Sequence, residues 1–324
     1  MQVVAEKIVV LGTGGTIAGT AANAEDNIGY TAAQVGVQEL LDAVPGLASL
    51  AQSAGAVLSA EQVAQVDSKD MDLSILLRLA ARCAQLLADP AVAGVVVTHG
   101  TDTIEETAWF LHCVLDARKP VVLTCAMRPA TSLSPDGPQN LLDAVAVVSC
   151  PGARGVMVVA AGSLHSARAV RKVHPYRVDA FDSGEQGALG WVEEGNVRLA
   201  HGWPSAESAL MRAPLGDAAS APALPRVEVV MNHCGATGRI VDLLVADGVD
   251  GLVVAATGNG TMHQALEAAL VRAQQAGVAV RVTSRCALGR VLAKPSDTLA
   301  VDALGLSPAK ARITLWLELW AARA

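Results

Sequence analysis

The chain is predicted to be an α/β protein in two parts: a larger N-terminal domain built on a doubly wound, mostly parallel sheet, and a smaller C-terminal α/β domain. Three observations carry this. Short β-branched apolar runs such as Ile8–Leu11 and Val92–Thr98 read as strands buried on both faces. Segments of helical spacing follow them, and strands alternating with helices imply a parallel sheet covered on both sides by right-handed crossovers. Between His201 and Arg226, Pro204, Pro214, Pro222 and Pro225 stand among alanine and serine, a linker composition, after which a second alternation begins. The expected boundaries are 1–205 for the first domain, 206–225 for the linker and 226–324 for the second domain.

The organising stretch is KIVVLGTGGTIAG, Lys7 to Gly19. Its strand ends in Gly12-Thr13-Gly14-Gly15-Thr16, at the carboxyl end where open α/β sheets gather ligands. A dinucleotide fingerprint would place a third glycine where Ile17 stands, and a P-loop would need a lysine that is absent. What remains is a permissive turn that presents hydroxyls and admits close approach of a small ligand. Thr20 to Tyr30 is small, polar and aperiodic, an exposed loop suited to a lid. A helix is expected from Thr31, as N-cap, to a stop at Pro45-Gly46, then a strand-like stretch to Asp67 and a polar turn at Ser68-Lys69-Asp70. Asp72 to Ala88 carries a helical stripe at Leu73, Leu76, Leu77, Ala80 and Leu87. Val92–Thr98 again ends in a hydroxyl-rich turn, His99-Gly100-Thr101-Asp102-Thr103, before a helix from Ile104 to Leu115. Strands at 120–126 and 155–161 flank a helix at 139–148. From Gly162 the pattern weakens into turn-rich pieces that include the basic stretch SARAVRKVHPYR. The second domain reads as strands at 227–231, 252–256 and 278–283, with helices at 238–247, 262–276 and 308–322.

At 324 residues the chain is long enough for two cores. Its net charge of −7 gives no electrostatic footprint for nucleic acid or an anionic membrane, so a small-molecule partner is favoured. The apolar runs are far too short to span a bilayer. The first residues lack the pattern of a signal peptide, so a cytoplasmic location is expected, or a periplasmic one if the chain is a trimmed mature form. Cys83, Cys113, Cys125, Cys150, Cys234 and Cys286 are scattered without any CxxC or metal-ligand spacing and read as buried free thiols.

Two strands therefore end in threonine-bearing turns, Thr16 in one and Thr101-Asp102 in the other, and such ends converge in a doubly wound sheet. A threonine hydroxyl needs a base to become a nucleophile. Lys172 qualifies only where its surroundings hold it partly neutral, and otherwise reads as a solvated surface lysine. His99 reads either as a general base or as a packed turn residue, and Asp102 as a receptor for a substrate ammonium group.

LGTGGTIAG and VVVTHGTDTIEETAWF together resemble the two signature segments of bacterial L-asparaginases of type I and type II and of glutaminase-asparaginases. DSKDM, KPVVLTCAMRP, DGPQNLLDAV and TGNGT are similar to further segments of that family in the same order, over nearly the whole chain. The resemblance implies an amidohydrolase that takes L-asparagine to L-aspartate and ammonia in asparagine catabolism, with no metal and no organic cofactor. It implies Thr16 as nucleophile, Tyr30 on the lid as its activator, and Thr101, Asp102 and Lys172 as the rest of the catalytic set. Ser68 and Asp102 are implied to grip the α-carboxylate and α-ammonium, with Gly15, Gly100, Ala126 and Asn259 as further substrate-binding positions. Backbone N–H groups near Thr16 and Thr101 are implied as the oxyanion hole. A homotetramer built from intimate dimers is implied as well.

Departures from the family pattern fall at three places. Lys69 stands where type II enzymes often carry glutamine, beside the carboxylate contact. The neighbouring-subunit glutamate has no counterpart in Ser284–Ser307, which holds Asp297 and Asp302, so Asn259 is expected to supply part of that contact. Cys83 and Cys113 do not match the periplasmic enzymes' disulfide. The competing readings are a glutaminase-asparaginase, the amidase subunit of a tRNA-dependent amidotransferase, and a non-catalytic amino-acid sensor on the same scaffold.

Overall fold

β1 (Glu6–Gly14) runs through the interior of the larger sheet because seven successive residues from Ile8 are apolar, glycine or threonine, and all are buried. The computed structural model describes residues 6–204 and 224–323. It resolves into two compact units, Met1–Leu210 and Met211–Ala324. The linker expected at 206–225 lies outside the described residues except for Leu224 and Pro225.

In the first unit β2 (Ala56–Val66), β1, β3 (Val92–Thr98), β4 (Pro120–Thr124) and β5 (Gly155–Ala160) lie side by side in that order, all parallel. Three antiparallel strands extend the sheet beyond β5: β6 (Ser163–Ser166), β9 (Gly190–Glu193) and β10 (Asn196–Leu199). β7 (Arg171–Lys172) and β8 (Phe181–Asp182) form a separate two-stranded ribbon. Helices α1 (Val37–Asp42), α2 (Leu47–Ser53) and α5 (Gly137–Ser149) pack on one side of the sheet, where Leu40, Leu47, Leu141 and Val145 share a core with Ile8, Val10, Val96 and Val122. α3 (Leu73–Ala88) packs against β2 and β3, and α4 (Ile104–Val114) against α3 and β5. Each aliphatic side chain buried this completely contributes roughly 1.5–3 kcal/mol relative to exposure, so the sheet centre is the rigid base for the turns at its edge.

The second unit is smaller. Its parallel sheet runs β11 (Val227–Met231), β12 (Gly251–Ala256), β13 (Ala279–Ser284), β14 (Ala300–Val301), crossed by α6 (Arg239–Ala246), α7 (Gln264–Gln275) and α8 (Pro308–Ala321). α8 starts on Pro308, with the Ser307 side chain accepting from the Lys310 N–H as its cap. No helix among the described residues is long and apolar enough to cross a membrane.

Three sequence expectations need correction. The helix expected from Thr31 begins at Val37, because Thr31 exchanges backbone hydrogen bonds with Thr20 and is held extended. Pro45-Gly46 does not return the chain to a strand but leads into α2, with Gly46 left-handed at φ 83°. The stretch after Gly162, expected only as turn-rich pieces, also supplies β6, β7, β8, β9 and β10, strands of two to four residues too short to leave a periodic signature.

Candidate active site

β1 and β3 are direct neighbours, with Gly12 opposite Thr98, so the turns that follow them emerge side by side. The Thr13 hydroxyl donates to the Thr98 carbonyl at 2.8 Å and ties the two strand ends together. The approach is closer still at the glycines. Gly15 is at φ 82°, and a side-chain carbon built on it would lie 2.3 Å from the Gly100 Cα. One built on Gly100 would lie 2.4 Å from the Ser68 hydroxyl. Only glycine at both positions lets Gly15, Gly100 and Ser68 converge.

Around that contact stand two hydroxyl pairs. Thr16 opens a short 3₁₀ turn and is 7% exposed, and its Oγ1 lies 2.7 Å from the Tyr30 Oη. Thr101 is equally buried, and its Oγ1 accepts from Lys172 Nζ at 2.8 Å. The same ammonium donates to Asp102 Oδ1 at 2.6 Å. Asp102 is half-exposed while Lys172 is largely covered, so the carboxylate faces outward and the cation inward. Lys172 sits on β7, and its backbone N–H donates to Glu105 Oε2 at 2.9 Å.

Ser68 is buried under the second turn, where its Oγ accepts from the Asp102 N–H at 3.2 Å and its carbonyl accepts from the Thr103 hydroxyl at 2.8 Å. Ala126 is buried just past β4, the next strand end along. Thus Gly15, Thr16, Tyr30, Ser68, Gly100, Thr101, Asp102 and Lys172 belong to one constellation, closed by the contacts above. His99 takes the packed alternative: its Nδ1 bonds the Gly100 carbonyl, its Nε2 bonds the Thr107 hydroxyl, and burial pushes its pKa down to about 4. The ring therefore stays neutral at pH 7 and braces the second turn from below.

Lys69, next to Ser68, turns outward between two carboxylates, 2.7 Å from Asp70 and 3.1 Å from Asp67. Those contacts, with Asp70 foremost, raise its pKa and keep it a surface cation. Asn259 belongs to the second unit, where its amide clasps Leu292 at both ends: Nδ2 donates to the Leu292 carbonyl and Oδ1 accepts the Leu292 N–H at 2.7 Å. In the same region Asp297 accepts the Lys294 N–H and Asp302 the Leu306 N–H.

Glu105 escaped sequence reasoning, although an acidic residue in the first turn of α4 was a visible sign of a structural role. Nothing local marks its bond to Lys172, 67 residues away. Thr13, whose hydroxyl the sequence offers to a ligand beside that of Thr16, instead spends it on the buried Thr98 carbonyl, and Thr103 likewise donates to a backbone carbonyl that only the folded chain brings near.

The sequence and the architecture have counterparts among known proteins. Residues 7–204 match the family model for the asparaginase N-terminal domain, and residues 226–322 that for the glutaminase/asparaginase C-terminal domain. L-asparaginase 2 of Escherichia coli K12 is 37% identical, with 96% of this chain and 88% of the relative covered. The glutaminase-asparaginase of Acinetobacter glutaminasificans is also 37% identical, covering 96% and 94%. The crystal structure of a probable cytoplasmic L-asparaginase from Campylobacter jejuni superposes with a TM-score of 0.88 at 38% identity, over 97% of this chain and 95% of that one. Matched in both domains and throughout its length, the chain belongs to the asparaginase family and is an amidohydrolase.

Proposed function

We propose that the protein is an L-asparaginase that works through a threonine nucleophile, Thr16. The single observation that carries this is the pairing of two buried threonine hydroxyls, one with Tyr30 and one with Lys172, at adjoining strand ends. Thr16 Oγ1 attacks the side-chain amide carbon while its proton passes through the Tyr30 hydroxyl to solvent water. The tetrahedral oxyanion is held by backbone N–H groups of the two glycine-flanked turns. The Lys172 ammonium, through Thr101, protonates the departing nitrogen, and ammonia leaves an acyl ester on Thr16. Water then hydrolyses the ester, the protons return along the same two routes, and aspartate is released.

Substrate orientation follows from the flanking groups. Ser68 and the backbone at Gly100 receive the α-carboxylate, while Gly15, whose N–H is already spent on the Val66 carbonyl, serves by letting the substrate approach the backbone closely, with Ala126 bordering the amide. The outward carboxylate of Asp102 receives the α-ammonium. Lys69, already paired with Asp70 and Asp67, has little pull left on the substrate carboxylate. The domain limits 1–205 and 226–324 are part of this reading, as is closure of the pocket by a neighbouring subunit through the loop that Asn259 pins. Sedimentation of dilute enzyme beside its specific activity tests that closure, and an active monomer contradicts it. A cytoplasmic setting is also part of the reading, in keeping with six cysteines of which none is in a disulfide, although Cys234 and Cys286 are exposed where the sequence predicts burial.

Asparagine and glutamine differ by one methylene, which a pocket distinguishes by only ~1–3 kcal/mol, or about 10- to 200-fold. The close backbone at Gly15 and Gly100 leaves little depth, so asparagine is expected to be preferred within that range. Ammonia release from the two amides, compared as kcat/KM, is the test. Equal values refute the shallow pocket, and the glutaminase-asparaginase relatives make that the competing result.

A further inference from the structure

Tyr30 reaches Thr16 from the end of a loop whose base is closed by the reciprocal backbone bonds of Thr20 and Thr31, both 2.9 Å. The loop has no apolar anchor, and its one large aliphatic side chain, Ile28, is 79% exposed. Polar contacts with a second loop, 129–134, hold it instead. The Ala21 N–H donates to Thr131 Oγ1 at 2.8 Å, and Ser132 Oγ donates to Asn27 Oδ1 at 2.7 Å. Two backbone bonds join the same loops, from Ala130 N–H to the Gly19 carbonyl and from Leu133 N–H to the Ala24 carbonyl. The second loop is itself fixed. The Met127 and Arg128 N–H groups donate to the two oxygens of Asp136, which precedes α5.

We propose that Thr131 and Ser132 are positioning residues for Tyr30: their side chains strap the lid to the fixed loop and so keep the phenol on Thr16. The proposal rests on the reading of Tyr30 as the activator of Thr16. Its physical basis is that a polar, aperiodic loop closes only as far as its hydrogen bonds hold it. When catalysis requires the closed lid, kcat/KM scales with the closed fraction.

Thr131 is exposed and Ser132 half-buried, so truncating them leaves the core untouched. The T131A/S132A enzyme should keep its circular dichroism and Tm and lose about 5- to 20-fold in kcat/KM for asparagine, the loss expected for two partly exposed hydrogen bonds. T131S/S132T, which keeps both hydroxyls, should restore it. Asn27→Ala, which removes the partner of Ser132 from the lid side, should lose about 3-fold. In a Tyr30→Phe background there is no hydroxyl left to position, and T131A/S132A should cost less than about 2-fold more. A Tyr30→Phe enzyme of near-normal activity overturns the role of Tyr30 itself. A crippled Tyr30→Phe enzyme overturns the strap alone if T131A/S132A equals the wild type, or if its loss adds in full to that of Tyr30→Phe.

Discussion

The turn after β1 and the turn after β3 present the same residue type at nearly the same depth, yet their partners differ in kind. Thr16 meets a neutral phenol on a loop that reaches over it. Thr101 meets an ammonium that is neutralised by a carboxylate and whose backbone is anchored by Glu105. In the proposed mechanism the first arrangement leaves an oxygen free to attack carbon once its proton is drawn off. In the same proposal the second feeds a proton to the substrate held between the turns. The difference teaches that a matched pair of hydroxyls becomes a reaction sequence only through what each is bonded to.

The comparison breaks most visibly at the threonines. Thr16→Ala and Thr101→Val should each lower kcat by about 10³-fold or more with the fold intact, as for groups that act as a unit. Near-normal turnover by Thr101→Val would remove the second turn from the chemistry. Next in size is the contact between the turns. Gly15→Ala puts a methyl group against the Gly100 backbone at a positive φ, and we expect a loss on the order of 3 kcal/mol in urea unfolding together with loss of activity.

Acid should act on the second turn selectively. The buried His99 is held at about 4, below its ordinary 6.5, so the unfolded chain binds the proton more readily between those values and stability falls as pH drops through them. The contribution at pH 5 is about 2 kcal/mol, and His99→Gln should flatten the difference in unfolding midpoint between pH 7 and pH 5. The smallest effect concerns the first turn: aspartate should slow amide exchange across Thr20 to Tyr30 a few-fold. Exchange that is already slow and indifferent to aspartate contradicts a moving lid.

What the sequence disclosed and what it withheld follow a physical line. β1, β3 and β12 were legible because contiguous β-branched residues buried on both faces leave an unbroken apolar run, and α3 because a long amphipathic helix repeats its stripe. The meeting of the Thr16 and Thr101 turns was legible from topology, since adjoining parallel strands end on one edge. Lys172 was not, because it lies on a two-residue strand and is brought to Thr101 across 71 positions. Family resemblance, not local pattern, pointed to it. The strap carried no signal at all: Thr131 and Ser132 look like any polar turn until Ala21 and Asn27 are seen opposite them.

The account stands or falls on which oxygen attacks. Rapid mixing with asparagine, an acid quench and mass mapping of the digested peptides locate the acyl group during turnover. An aspartyl ester on Thr16, absent from Thr16→Ala, is the predicted result. An ester on Thr101 instead, or ammonia release by Thr16→Ala at the wild-type rate, would contradict it.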